Sequence, residues 1–239
     1  MKLTQKIVII GGMGPQASLE LHRRFLNKAA DMGAREGNEY PAITHISVPV
    51  PDFITNKRNS SKAYAMLSGV LAGMEMDPCT QVVIACNTAH LLLPRLQQSI
   101  NHKIVSLVDL VVDELHASNA KKVGLVATPT TIRAGLYSKP LSRDGIKLVE
   151  PTSREQQYLE ITIRNIIANK PLESQQDAMT KIVNRMLSLG CDSVILGCTE
   201  LSYLNARNIP NAVDPMDLAV NEILKANTMT ELGYNDVNE

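Results

Sequence analysis

The stretch Val82-Val83-Ile84-Ala85-Cys86-Asn87-Thr88-Ala89-His90 runs from a wholly apolar strand through a cysteine into a polar turn. Val194-Ile195-Leu196-Gly197-Cys198-Thr199-Glu200-Leu201 repeats the design in the second half. A strand that is apolar on both faces must be covered on both, which is the pattern of a parallel sheet packed between helices. The surroundings repeat as well. Ile7–Ile10 leads into Gly11-Gly12-Met13-Gly14-Pro15, and Val123–Ala127 leads into Thr128-Pro129-Thr130-Thr131, at similar distances ahead of the two cysteines. Ala42–Val48 and Ile146–Val149 read as further strands. Helical spacing puts Leu19, His22, Phe25, Leu26 and Ala29 on one face, with Gly33 as the stop, and marks Ser61–Met74, Glu155–Ala168, Ala178–Leu189 and Leu218–Lys225 as helices. Pro94 has to sit in the first turn of a helix or bend it.

This alternation predicts an α/β chain of two pseudo-symmetric domains, each a parallel sheet flanked by helices. The first covers residues 1–100 and the second 101–212, with a last helix in 213–239 that can return to the first. Ligands in open α/β sheets bind beyond the carboxyl ends of the strands. Cys86 and Cys198 both lie at such ends, so facing domains would put one thiol on each side of a shared cleft.

Composition narrows the partners. The 239 residues carry 24 basic and 24 acidic side chains, and Lys and Arg are scattered along the chain. Neither a nucleic acid nor an acidic membrane surface is indicated. Ile7–Ile10 is too short for a signal-peptide core or a bilayer span. The expectation is a soluble, cytoplasmic protein whose four cysteines are thiols. Lys121-Lys122 and Arg23-Arg24 read as solvated faces, and the methionines as core filling.

The cysteines divide into two kinds. Cys79 and Cys191 each precede the motif cysteine by seven residues and read as buried small hydrophobes. Seven residues of strand span about 23 Å, so the members of one pair cannot share a zinc without the chain folding back, and close Cys-x-x-Cys pairs are absent. No metal site is expected. Cys86 and Cys198 are each preceded by a small residue and followed by a polar turn heading into helix. Backbone N–H groups at such a start lower a thiol pKa and bind a carboxylate. One such cysteine is weak evidence of a functional thiol, and two at equivalent places of a duplicated unit are much stronger.

Gly11-Gly12-Met13-Gly14-Pro15, Cys86-Asn87-Thr88-Ala89-His90, Gly197-Cys198-Thr199-Glu200 and Val213-Asp214-Pro215-Met216-Asp217 together resemble the signature segments of the aspartate/glutamate racemase family, in order along nearly the whole chain. The aspartate branch is the nearer one, because Glu200 stands where glutamate racemases usually carry His. The resemblance implies an amino-acid racemase that works without pyridoxal phosphate or another cofactor, commonly as a homodimer, with Cys86 and Cys198 as the proton-transfer pair. It further implies that Asn87, Thr88 and Thr199 hold the substrate's α-carboxylate or ammonium, that Met13 and Thr130 line the cleft, and that Asp52 and Glu200 are polar partners of the site. Aspartate-selective relatives tend to carry Arg after the residue matching Asp52. Here it is Phe53, and a Phe cannot neutralise a carboxylate. Ala168 aligns with a second, usually basic position, with Arg164, Lys170 and Arg58 as candidates to replace that charge. The expectation is therefore an enzyme that accepts neutral or apolar amino acids at least as well as aspartate.

Other functions compete with this one. Gly12-Met13-Gly14-Pro15-Gln16-Ala17 satisfies a dinucleotide-binding fingerprint after a strand. That fingerprint wants an acidic residue at the end of the next strand, and Asp52 comes only after Pro49-Val50-Pro51. A Cys86–His90 hydrolase, or a cysteine-dependent isomerase or decarboxylase of small diacids, are further alternatives. His22 and His45 carry no partner signature and read as structural.

Overall fold

The structure, a computed structural model, describes residues 6–52, 59–78, 80–170, 173–204, 209 and 211–232, with side chains throughout except at 173–175 and 226–232. Phe53, Arg58, Cys79 and the C-terminal residues 233–239 lie outside the described residues.

Two four-stranded sheets form, each wholly parallel. The first contains β1 (Lys6–Gly11), β2 (Ala42–Ser47), β3 (Thr80–Ile84) and β4 (Ile104–Val105), in the order β2-β1-β3-β4. The second contains β5 (Lys122–Ala127), β6 (Lys147–Val149), β7 (Ser193–Gly197) and β8 (Ala212–Val213), in the matching order β6-β5-β7-β8. The duplication read from the sequence is thus a duplication of topology.

Alternation along the central strands divides each core into two layers. Ile7, Ile9, Val83 and Ala85 face α1 (Pro15–Asp31) and α10 (Pro215–Leu232), whereas Val8, Ile10, Val82 and Ile84 face α2 (Ser60–Ala72) and α3 (Leu93–Gln97). Pro94 lies in the first turn of α3, where its missing N–H costs nothing. In the second half, Val126, Val194 and Leu196 pack on α7 (Ser153–Ile167) and α8 (Glu173–Ser188). Val123, Leu125, Ala127 and Ile195 pack on α4 (Leu107–Ala117) and α6 (Ser138–Arg143). Each fully buried Ile, Leu or Phe contributes roughly 1.5–3 kcal/mol.

Two helices join the halves. The first sheet extends past residue 100 to include Ile104–Val105, and α4 then puts Leu107 into the first core and Val111 and Leu115 into the second. At the far end of the chain, α10 packs Met216, Ala219, Ile223 and Leu224 into the first core.

Helix α1 corrects the sequence reading. Leu19 is 60% exposed and Leu26 38%, and the buried face is Ala17, Ser18, Leu21, Arg24, Phe25 and Ala29. Arg24 is not on a solvated face. Its guanidinium bonds Asp214 at 2.6 Å, Asp217 at 2.9 Å, Glu20 at 2.9 Å and the Ser202 carbonyl at 2.8 Å. Burial opposes its charge, but the carboxylates around it hold the pKa above the usual arginine range. Spacing alone favours leucines for the inner face; the acidic cluster at the start of α10 takes in an arginine instead. Among the described residues no helix is long and apolar enough to cross a membrane.

Candidate active site

Both motif cysteines follow a central strand. Cys86 comes just after β3 and precedes a 3-10 turn over Thr88–Leu92. Cys198 directly follows β7 and is the N-cap of α9 (Thr199–Tyr203). The carboxyl edges of the two sheets face each other across one cavity of about 230 Å3. Cys86, Asn87 and Thr88 line one side and Cys198 and Glu200 the other. Gly12, Met13, Gly14 and Pro15 come from the turn after β1, Val50, Pro51 and Asp52 from the segment after β2, Thr128 from the end of β5, and Arg164 and Ile167 from α7. Taking a liquid water as about 30 Å3, the space equals roughly eight waters, enough for a small molecule.

The side chains of the site disfavour negative charge. Burial, reinforced by the Glu200 carboxylate, pushes the Cys86 thiol up to about 12, although the N–H groups of Ala89 and Thr88 pull the other way. Burial and Glu200 also raise Cys198 well above an ordinary thiol, with the neighbouring Cys86 adding to the effect. Glu200 is itself raised by burial. Its Oε2 accepts a hydrogen bond from Cys198 Sγ at 2.9 Å, while Oε1 is buried without a partner.

The seam between the halves is polar and closely fitted. Thr88 Oγ1 lies 3.1 Å from Thr128 Oγ1 and 3.0 Å from Thr131 Oγ1, and Thr128 donates to Thr131 at 3.0 Å. Thr199 donates to the Ala85 carbonyl at 3.3 Å. Tyr137 donates its hydroxyl proton to Asn87 Oδ1. At the cavity mouth, Arg164 of α7 pairs with Asp52 at 3.2 Å, and both side chains are half-exposed.

Most of the expected residues therefore meet at one place: Cys86, Cys198, Met13, Asp52, Asn87, Thr88 and Glu200 all border the cavity. Thr130 and Thr199 are buried but are not among the lining residues, and Thr128 stands where Thr130 was expected. Thr128 caps α5 (Pro129–Ala134) by accepting from the Thr131 N–H at 3.1 Å, which the Thr-Pro pair signals in the sequence. Of the candidate replacement cations, Arg164 lines the cavity, whereas Lys170 is exposed and is not among the lining residues. Tyr137 is a further site residue without a sequence signature.

Two competing functions lose their footing. A Cβ on Gly14 would lie 1.8 Å from Glu200 Oε1, and one on Gly12 would lie 2.3 Å from the Val48 carbonyl oxygen. Gly12 also has φ +91°, a left-handed backbone that favours glycine. These glycines admit neighbouring protein groups, and a carboxyl group occupies the place where a pyrophosphate would approach the helix start. His90 is committed to the backbone. Its Nε2 accepts from the Leu107 N–H at 2.9 Å, so Nδ1 carries the proton and donates to the Cys86 carbonyl at 2.9 Å. Neither nitrogen is left to activate the Cys86 thiol. His22 and His45 pack edge to face, with ring centroids 5.8 Å apart. Cys191 is buried in the second core.

The sequence pattern of the Asp/Glu/Hydantoin racemase family matches residues 10–223. The chain belongs to this family. It is by that membership an isomerase. Among similar proteins, the broad specificity amino-acid racemase RacX of Bacillus subtilis is 24% identical over 204 residues, covering 82% of this chain and 86% of that one. A glutamate racemase of Buchnera aphidicola is 29% identical over 163 residues, covering 62% and 60% of the two chains. Among solved structures, an aspartate racemase homologue from Pyrococcus horikoshii superposes with a TM-score of 0.72 at 26% identity, covering 94% of this chain and all of that one. An aspartate racemase from Picrophilus torridus shares the fold, with a TM-score of 0.75 at 23% identity over 94% of each chain.

Proposed function

We propose that this racemase-family chain interconverts the enantiomers of a free α-amino acid by passing a proton between Cys86 and Cys198, with no cofactor. The observation that carries this reading is the shared cavity, lined by both thiols from corresponding ends of two duplicated sheets. Racemisation removes the α-proton from one face and returns a proton to the other. One thiol acts as thiolate base and the other as acid, and their roles exchange in the reverse direction. The substrate also brings its own charge to the site. Its ammonium group brings positive charge beside thiols that burial holds neutral, and an opposite charge at close range favours the thiolate. The Asn87 side-chain amide, whose nitrogen has no partner within the protein, takes the carboxylate and stabilises the enolate-like charge that develops there.

The side-chain end of the cavity supports neutral substrates. Met13, Val50, Pro51 and Ile167 give it apolar walls, and the charges of Arg164 and Asp52 are already paired. A neutral side chain leaves that pair intact. An acidic one has to compete for Arg164 with Asp52 and with Glu160, which lies 3.2 Å away. Neutral amino acids are therefore taken at least as well as aspartate. The test is a panel of L-amino acids in deuterated water, following α-proton exchange and D-product with the wild type, Cys86→Ala and Cys198→Ala. We expect neutral members to exchange and either alanine variant to lose racemisation. Exchange confined to aspartate and glutamate would reject the neutral preference and make Arg164 the binder of the distal carboxylate. Full racemisation by either alanine variant would reject the two-thiol mechanism.

A further inference from the structure

Asn87 is 1% exposed, borders the cavity, and has a buried amide nitrogen without a hydrogen-bond partner. A buried N–H donor is rarely left unpaired in a finished structure, so one facing a cavity points to an acceptor on the ligand. An asparagine amide can present either end, and which end faces inward decides whether it meets a carboxylate or an ammonium. The neighbour that decides this comes from the other half of the molecule. After α5, Gly135 adopts a left-handed backbone at φ +67° and turns the chain so that Tyr137 enters the second core, where it is fully buried. Its ring lies under the other cysteine motif, since a Cβ on Gly197 would stand 3.2 Å from Tyr137 Cε2. Its hydroxyl donates to Asn87 Oδ1.

We infer that Tyr137 is a positioning residue that fixes the Asn87 amide with Oδ1 outward and Nδ2 facing the cavity, so that the substrate's α-carboxylate meets an N–H donor. With the amide reversed, Nδ2 would donate to the phenol oxygen and the phenolic proton would need another acceptor. Among the described residues, Asn87 Oδ1 is the acceptor that Tyr137 has. Leaving a buried O–H unpaired is costly, so the reversed orientation is disfavoured. Burial also holds the phenol far above its ordinary pKa, so it keeps the proton it donates. One ring thereby braces both cysteine loops, touching Gly197 beside Cys198 and bonding Asn87 beside Cys86.

This inference rests on the amino-acid reading of the cavity, and binding separates it from turnover. In a Cys86→Ala background, which is expected not to turn over, L-alanine and L-aspartate are titrated calorimetrically against Asn87→Ala, Asn87→Asp, Tyr137→Phe and the Tyr137→Phe/Asn87→Ala pair. Asn87→Ala and Tyr137→Phe should each weaken binding by about tenfold, the scale of one lost hydrogen bond. The pair should bind no more weakly than Asn87→Ala alone, because Tyr137 acts through that amide. Asn87→Asp keeps the acceptor for Tyr137 but turns an oxygen inward, and it should bind at least as weakly as Asn87→Ala. Multiplying losses in the pair, unchanged affinity in Tyr137→Phe or Asn87→Asp, or no binding of either amino acid would each overturn the inference. If the wild type racemises nothing while the binding pattern holds, the racemase mechanism fails and the role of Tyr137 stands.

Discussion

Glu200 shows how a single residue sets stability against chemistry. It is buried, one oxygen takes the Cys198 thiol and the other has no partner, and burial raises its pKa. A carboxyl group whose folded pKa exceeds its unfolded value contributes fully to stability below the unfolded value, and that contribution is lost as pH rises. At pH 7 Glu200 therefore works against the fold. Glu200→Gln should be more stable at pH 7 by roughly 1–3 kcal/mol, the desolvation scale of a buried polar group, and unchanged near pH 4. Urea denaturation at both pH values measures this, and equal stability at pH 7 would contradict it. In the racemisation proposed here the same variant should also lose roughly a hundredfold or more in kcat, because an amide cannot accept the Cys198 thiol proton as a carboxyl group can. Glu200 and both cysteines are legible in the sequence because they sit in duplicated motifs. Arg164 is legible only as one of three candidate cations, and Tyr137 not at all, because a tyrosine after a glycine turn looks like core until the halves are brought together.

At the level of elements, α1 is positioned by a close approach. Gly14 at its N-cap has φ 167°, extended backbone that any residue adopts, so its need for glycine is a matter of space alone. Gly14→Ala should displace the Glu200 carboxyl, and with it the start of α9, lowering kcat/KM by tenfold or more while the far-ultraviolet circular dichroism stays unchanged. A Cβ on Gly37 would meet nothing within 4 Å, so this position serves as the control, with Gly37→Ala expected to keep full activity. Equal kinetics for the two variants would remove Gly14 from the site's support. The central strands are legible from sequence because burial on both faces makes them continuously apolar. Strands β4 and β8, two residues each, and α9, five residues long, are too short to show a period. The inner face of α1 misleads for another reason: it includes Arg24, whose buried partner Asp214 lies 190 residues away in sequence.

Over the whole molecule, that arginine ties three parts together. Arg24 belongs to α1, Ser202 lies in the short helix after Cys198, and Asp214 caps α10 by accepting from the Met216 N–H at 2.9 Å while also accepting from Ser202 Oγ at 2.8 Å. Breaking a buried ion pair from one side leaves the other charge uncompensated. Asp214→Asn should cost about 3–5 kcal/mol in urea denaturation, and a loss below about 0.5 kcal/mol would show that Asp217 and Glu20 compensate by themselves. The matching strand orders of the two halves have a final consequence. Mirror-image amino acids have equal free energies in water, so the equilibrium between them favours neither. For the racemisation proposed here, kcat/KM must then be the same in both directions, however unlike the two halves are. They are unlike: two residues beyond Cys198 stands a carboxyl group, and two beyond Cys86 stands the hydroxyl of Thr88. That inequality can surface only as paired differences in kcat and in KM, so the enantiomer that saturates the cleft at lower concentration is also the one converted more slowly at saturation.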